Sequence, residues 1–556
     1  MKSIFNHFQY VFIITQAVCS IAFAQWFSNP SENNPICTAN SWQQIPKIVS
    51  DGNGGAIVTW QDFRAGSVRH IFAQKISQNG TIAWTKNGVP ICYANYEQTN
   101  PVIVADNAGG AIIAWADYRD GNPADIYAQH INSNGSPLWK TDGIPICVAS
   151  GQQLEPMMIS DDSGGAIIIW NDRRNFLSDY YIQRVDASGK ILWKADGVKI
   201  VSDGSSPEIV ENGFSGAFIT WQDGRNGTAD IFIQQISSTG VILWQEAGIN
   251  VASGISKQEL PQIISDHAHG AIIAWQDDRT GEYDLYGQRI NESGVVQWTT
   301  NGKILVQKAG NQQNPKLADG SYVQNGTYEI NVLLSWTDIQ NAIFSIYAQR
   351  LNSLGDAQWG AGIYISSTTN QYEVEATSDL NKGLIVSWLK SSPYDIYAQR
   401  ITSTGNKVWG TNGVPVATAN GSQLSHSVTS DGKGGAIVAW EDHRTDQDIY
   451  ASYLPATITD VQFNQEKIPS TFELLQNYPN PFNPTTRIRY SVPRGGNVGI
   501  KVFNSIGEEV SVLVSGYRDI GNYEVQFDGK NQSSGIYWCR MEAGDFTQTI
   551  KVILLK

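Results

Sequence analysis

The stretch Ala105-Asp106-Asn107-Ala108-Gly109-Gly110-Ala111-Ile112-Ile113-Ala114-Trp115-Ala116-Asp117-Tyr118-Arg119 decides the fold. It opens on a Gly-rich turn, runs through small and branched apolar residues to a Trp, and closes on an Asp and an Arg two apart. The unit continues through Asp125-Ile126-Tyr127-Ala128-Gln129, Gly135, Leu138-Trp139 and Gly143-Ile144-Pro145-Ile146. Its first Trp recurs as Trp60, Trp115, Trp170, Trp221, Trp275, Trp336, Trp388 and Trp440, which makes eight units between residues 25 and 454. The first complete unit holds four β-rich runs, at residues 46–49, 56–60, 71–76 and 82–91, separated by Asp51-Gly52-Asn53-Gly54-Gly55, a loop at Arg64-Ala65-Gly66, and Ser77-Gln78-Asn79-Gly80. Four short strands at a period of about 50 residues match one propeller blade. No helical stretch appears in any unit, which excludes a βαβ array. Strands such as Ala56-Ile57-Val58-Thr59-Trp60 are apolar on both alternations, as suits a sheet covered on both faces.

The ends of the array predict closure. The last unit stops after Tyr450-Ala451-Ser452-Tyr453 and lacks its Trp and Pro-Ile run, which reappear near the N-terminus as Trp26 and Pro35-Ile36-Cys37. Residues 25–37 therefore supply the missing strand. The expected fold is all-β: an eight-bladed β-propeller closed by the N-terminal strand, which leaves no exposed sheet edge. A second Trp series (26, 84, 139, 193, 244, 298, 359 and 409) is read as filling the fourth-strand position.

Composition agrees. The 556 residues include 18 Trp, 23 Tyr, 18 Phe and 52 Gly, with 16% charged, a pattern of short strands and tight turns. At 41% apolar the chain is not disordered. A formal charge of −14 argues against nucleic acid as a partner. Residues 1–24 read as a signal peptide: Lys2, an apolar stretch, then Ala22-Phe23-Ala24 with cleavage between Ala24 and Gln25. No later segment is apolar enough to span a membrane, so no transmembrane anchor is expected in the mature chain. Cys37, Cys92 and Cys147 each follow Pro-Ile at 55-residue spacing, so they are one repeat position and not a disulfide framework; neither is their spacing that of zinc ligands.

Residues 455–471 are a polar linker, and residues 472–556 carry about seven short strands, a small Ig-like β-sandwich with Cys539 unpaired. Its opening words, Asn477-Tyr478-Pro479-Asn480-Pro481-Phe482-Asn483-Pro484, with Gly521-Asn522-Tyr523, Ser534-Gly535-Ile536-Tyr537 and the terminal Lys551-Val552-Ile553-Leu554-Leu555-Lys556, closely resemble the type A C-terminal sorting domain of the type IX (Por) secretion system. The resemblance implies recognition by that machinery and export across the outer membrane of a Gram-negative, Bacteroidota-like bacterium, to the medium or the cell surface. The repeat is similar to propeller-like repeats of secreted proteins from such bacteria, and that likeness implies no activity.

The Trp-x-Asp-x-Arg box is the sharpest internal motif. Its pairs are Asp62 and Arg64, Asp117 and Arg119, Asp172 and Arg174, Asp223 and Arg225, Asp277 and Arg279, and Asp442 and Arg444, with a second acid ahead of the third strand at Asp125, Asp179, Asp230, Asp284, Asp395 and Asp448. Two readings stand. The pairs form a ring of sites for a glycan or a surface protein, or each Arg bridges its two acids and fixes the loop. Repetition favours the second, because catalysis needs one asymmetric constellation. No nucleophile elbow, zinc motif or Cys–His pair appears, so no catalytic, metal or cofactor residue is assigned. The expected function is a non-enzymatic binding or adhesion scaffold; the alternative is a carbohydrate-active hydrolase or lyase using carboxylates of the propeller face. Symmetry breaks in unit six, with extra residues 320–329 and Gln340 for Arg, and in unit seven, where Trp388-Leu389-Lys390 loses both charges of the box.

Overall fold

A computed structural model describes residues 26–457 and 471–556, apart from 122, 255, 369–370, 392–393 and 519–520. The expected signal peptide and its cleavage site, Ala24 and Gln25, lie outside the described residues, as does most of the expected linker. The chain divides into two compact units at Ile458 and Thr459.

The first unit is all-β and built from repeated four-stranded antiparallel sheets like propeller blades, eight among the described residues. The first sheet runs Gln43–Ser50, Ala56–Asp62, His70–Ile76 and Val89–Cys92 in spatial order, and the next begins at Gln98–Ala105. In the last sheet Gln423–Ser430, Ala436–Asp442 and Asp448–Leu454 take Asn34–Cys37 as fourth strand, with Asn34 opposite Ala451 and Cys37 opposite Ile449. The first strands touch in a cycle, each meeting those before and after it, and the strand of the first sheet meeting that of the last.

Burial explains the apolar second strands. Every residue of Ala111–Asp117 is buried. Ala111, Ile113 and Trp115 pack against Ile57, Ile71 and Ala73 of the preceding sheet, while Ile112 and Ala114 pack against Ala166, Ile168 and Trp170 of the following one. The turns are set by sequence too. Asp106 Oδ1 accepts from the amides of Ala108 and Gly110 at 2.7 and 2.8 Å. A Cβ on Gly110 would stand 2.1 Å from the Ile131 carbonyl, so no larger residue fits there.

The second Trp series is not in the fourth strand. Trp84 lies in the loop before Val89–Cys92, where Ile82 makes one isolated bridge to Ile76. A four-residue strand suffices because the indole replaces ladder bonds. Its N–H donates to the carbonyl of Ser133 in the next sheet at 3.0 Å, and Trp139, Trp193 and Trp359 repeat the contact to Ala187, Ser238 and Ser403. Trp26 does the same to Gln78 at 2.9 Å, so the N-terminal segment reaches the first sheet as well as the last.

Each first strand carries a bulge. Gln44 faces Gln61 but Lys47 faces Thr59, and between them Ile45 sits at φ 54°. A β-branched residue there is strained. The neighbouring sheet helps hold such bulges: the amides of Leu260 and Asn314 donate to Gln222 and Gln276, the residues after the box Trp, each at 3.1 Å.

The second unit packs a sheet of Glu473–Leu474, Thr485–Val492 and Gly521–Asp528 with one ordered Glu509–Arg518, Gly496–Phe503, Gly535–Ala543 and Phe546–Leu554. Phe482, Ile488, Tyr490, Val502, Met541 and Leu554 belong to its core. All four described cysteines are buried free thiols; for Cys37, Cys92 and Cys147 burial is what the 55-residue spacing predicted.

Candidate functional site

The Trp and Asp of each Trp-x-Asp-x-Arg box share a face of the second strand, which ends at the Asp, and the Arg lies in the turn that follows. Asp62 is fully buried. Its Oδ2 accepts from Trp60 Nε1 at 2.8 Å and Arg64 Nη2 at 2.6 Å, and its Oδ1 from Arg64 Nε at 2.8 Å and the Arg64 amide at 2.9 Å. The guanidinium also donates to Asn87 O at 2.8 Å, approaches Cys37 Sγ at 3.2 Å and lies 3.8 Å over the Phe72 ring. Fork, carbonyl and ring together engage Nε, Nη2 and the guanidinium face. Asp117 and Arg119, and Asp172 and Arg174, repeat the fork at 2.6 Å, and Asp442 and Arg444 at 2.7 Å. Asp223 with Arg225 and Asp277 with Arg279 pair likewise. Arg444 reaches Glu32 O at 2.6 Å and Asn33 Oδ1 at 3.0 Å, which ties the last box to the N-terminal segment.

Arg does not bridge two acids, as one sequence reading had it. The second acid is served by other groups: Asp179 by Lys199 at 2.7 Å, Asp230 by Asn226 and Asn250, Asp284 by Thr280 and Gln307. The repeat cysteines also do more than fill space. Each abuts the Arg of the next sheet, at 3.2 to 3.5 Å in the three copies, while burial pushes the Cys37 thiol up to about 12. They are poor nucleophiles.

The sixth sheet lacks the Arg and borrows a cation. Lys308, just past the preceding sheet's fourth strand, places Nζ 4.0 Å from the Tyr347 ring, beside Asp338. The repair is incomplete, since Trp336 Nε1 and Asp338 Oδ2 have no hydrogen-bond partner. In the seventh sheet register places Lys390 opposite Asp395, where other sheets have the acid, so a charge remains there with its sign inverted. Burial pushes the Asp395 carboxyl up to about 6, with Lys390 opposing, and its Oδ1 is unpartnered. A carboxyl raised in the fold stabilises fully below its unfolded value of about 3.9, and that contribution is lost as pH rises through about 6. Asp395→Asn is therefore expected to remove this slope. At pH 7 it should raise stability by about 1 kcal/mol after allowance for partial exposure, read as denaturation midpoints of both proteins from pH 4 to 8.

The first strands hold an asymmetric set that the sequence did not reveal. The residue after each bulge falls at one register position: Lys47, Val102, Met157, Glu208, Gln262, Lys316, Glu375 and Ser427. Gln262 Nε2 donates to Glu208 Oε1 at 2.8 Å, and Lys316 Nζ lies 3.9 Å from Glu375. Burial raises the Glu208 carboxyl against the pull of Lys316 and Gln262. Nearby His426, pushed down to about 4 by burial, meets Ser387 Oγ at 3.0 Å with Nε2 and leaves Nδ1 unpartnered. No group of three or more metal-ligating side chains occurs among the described residues. His267 and His269 share a turn but face different partners, Asp319 at 2.7 Å and the Phe214 ring at 3.9 Å.

The opening words of the second unit form a latch. Asn477, buried, donates to Pro479 O and Thr486 Oγ1 at 3.0 and 2.9 Å. Asn480 donates to Lys551 O and accepts from the Ile553 amide, and the Phe482 backbone bonds Ile553 O and the Leu555 amide at 2.9 and 3.0 Å. The segment 477–484 is thus fastened along the last strand, with Phe482 in the core. Residues 476–555 match the family described as Secretion system C-terminal sorting domain.

This unit is a secretion sorting domain. It directs export through the type IX system, so the chain is a secreted or cell-surface protein of a Gram-negative bacterium. No helix among the described residues is long and apolar enough to cross a membrane. No curated protein matches the sequence. Among solved structures, a puromycin hydrolase is 13% identical with a TM-score of 0.40 over 75% of this chain, which spans 61% of that enzyme's length. An alpha-L-arabinanase of Penicillium chrysogenum is 12% identical, TM-score 0.34, covering 55% of this chain and 93% of its own. An endo-arabinase from Bacteroides thetaiotaomicron is 15% identical, TM-score 0.28, covering 46% and 94%. Likeness at this level assigns no chemistry.

Proposed function

We propose that the chain is a non-enzymatic binding or adhesion scaffold: a signal peptide at 1–24, a closed eight-bladed propeller at 25–454, a linker at 455–471, and an Ig-like sorting sandwich at 472–556. The cyclic contact of the first strands, with Asn34–Cys37 completing the last sheet, supports the closed ring. The two packed sheets of the terminal unit support the sandwich. One observation carries the function. Each Asp–Arg pair, at 62 and 64, 117 and 119, 172 and 174, 223 and 225, 277 and 279, and 442 and 444, is turned on itself inside its sheet. The repeated charges are a frame, and a rigid frame with variable loops is what a binding protein presents. The partner is a glycan or a surface protein. A carbohydrate-active hydrolase or lyase is the second reading, favoured by Glu208: a carboxyl raised by burial can act as a general acid.

A glycan array and a polysaccharide hydrolysis screen on the exported protein separate the two. Binding without turnover is expected. Turnover that Glu208→Gln abolishes would replace the scaffold by the hydrolase.

A further inference from the structure

The turn between first and second strands has a Gly at its fourth position in four of the eight sheets. Gly54, Gly109, Gly164 and Gly434 all stand there at positive φ, between 83° and 92°. In the fourth, fifth and seventh sheets the same position keeps a side chain at positive φ: Ser215 at 58°, His269 at 63° and Lys382 at 69°. Residues with a Cβ are disfavoured there, so something other than the turn retains them.

His269 and Lys382 touch aromatic rings. His269 stacks on Phe214 of the preceding sheet's turn, ring centroids 3.9 Å apart at 18°. His267, in the same turn, stacks on Tyr328 of the separate hairpin Tyr322–Gln324 and Thr327–Glu329, which joins the first two strands of the sixth sheet, at 4.6 Å and 15°, and Asp319 holds its Nε2 at 2.7 Å. Lys382 reaches over Tyr322 at 3.5 Å. Phe214 and Tyr328 are nonetheless 52% and 49% exposed. Each is an aromatic ring backed on one face by a histidine and open to solvent elsewhere. The corresponding turns of the first three sheets carry Asn53, Ala108 and Ser163 where the fourth carries Phe214, and build no such stack.

The geometry points to a carbohydrate-binding site on these turns, with Phe214 and Tyr328 as two platforms on which pyranose faces of one neutral glycan chain stack. This rests on the binding reading above and gives it a place and a ligand class. The platforms stand apart, separated by hydrogen-bonding groups: His267, His269, Asp319 and Lys382. A sugar has that same alternation, with CH-rich faces and hydroxyl edges. A protein partner would want a broader apolar patch, about 800 Å² on each side. The histidines hold the rings in place before binding, so little side-chain freedom is lost when a ligand stacks.

The test is affinity electrophoresis of the full exported chain in gels carrying a soluble β-glucan, xylan, mannan, arabinan or α-glucan. At least one polysaccharide should retard the protein, and Phe214→Ala and Tyr328→Ala should each weaken that retardation tenfold or more. His269→Gly is the sharper variant. It relieves the backbone, so the denaturation midpoint should hold or rise while binding still weakens. Retardation unchanged by Phe214→Ala and Tyr328→Ala overturns the site and leaves the binding function standing. Retardation by none of the five overturns the site together with the glycan form of that function. Weakened binding in His269→Gly with a matching fall in midpoint makes the stack structural and also overturns the site.

Discussion

Deleting residues 472–556 is expected to empty the medium and the cell surface of this protein and leave it in the periplasm. The sorting domain matches an export family at residues 476–555 and lies in the second compact unit. Crossing the inner membrane would still proceed through the proposed signal peptide, so the truncated chain accumulates one compartment short. Fractionation and immunoblotting read the result, and unchanged surface delivery would overturn the assignment. A point variant separates the fold of the handle from its presence. Phe482 is buried at 2% exposure beneath Phe527, and its backbone bonds the last strand on both sides. Phe482→Ala should cost about 3–5 kcal/mol. Set against about 5–15 kcal/mol for a whole domain, that leaves part of the population unfolded. Export should fall in proportion, and the propeller should remain intact in whatever is retained.

Fold and site were legible to different degrees, for physical reasons. A buried position that needs one shape repeats one residue, so Trp60 and its seven equivalents mark the sheets directly. The N-terminal strand was readable because Trp26 and Pro35-Ile36-Cys37 are words of the same repeat. The place of Trp84 was misread, because an indole that bonds the next sheet's carbonyl looks in sequence like any apolar strand residue. The bulges were invisible. Ile45, Glu155, Leu260 and Glu373 adopt positive φ without the Gly or Asn that would announce it. The set of Lys47, Glu208, Lys316 and Glu375 was hidden too, because their types differ from unit to unit and only register brings them level. The box was found, but its wiring was not: spacing puts the Arg two residues past the Asp without saying that the fork closes on itself.

That wiring makes the second large prediction. Arg119→Met should destabilise the first unit by about 3–5 kcal/mol at pH 7, the cost of leaving a buried carboxylate without its partner. Asp117 is 1% exposed; Trp115 Nε1 at 2.7 Å and the residue 119 amide at 2.8 Å would be its remaining donors. Asp117→Asn in the same background should recover part of the loss at pH 7, since an uncharged amide needs no counter-ion. Tryptophan emission during urea unfolding reports this unit, because all Trp except Trp538 lie before residue 458. The sixth and seventh sheets make the expectation sharper. Each lacks the Arg yet supplies a cation near its acid, Lys308 beside Asp338 and Lys390 opposite Asp395. The frame tolerates a changed box, but not a buried charge left alone. Recovery of none of the loss by Asp117→Asn in the Arg119→Met background would assign the cost to the missing packing of Arg119 on Tyr127, 3.6 Å away, and not to the stranded carboxylate.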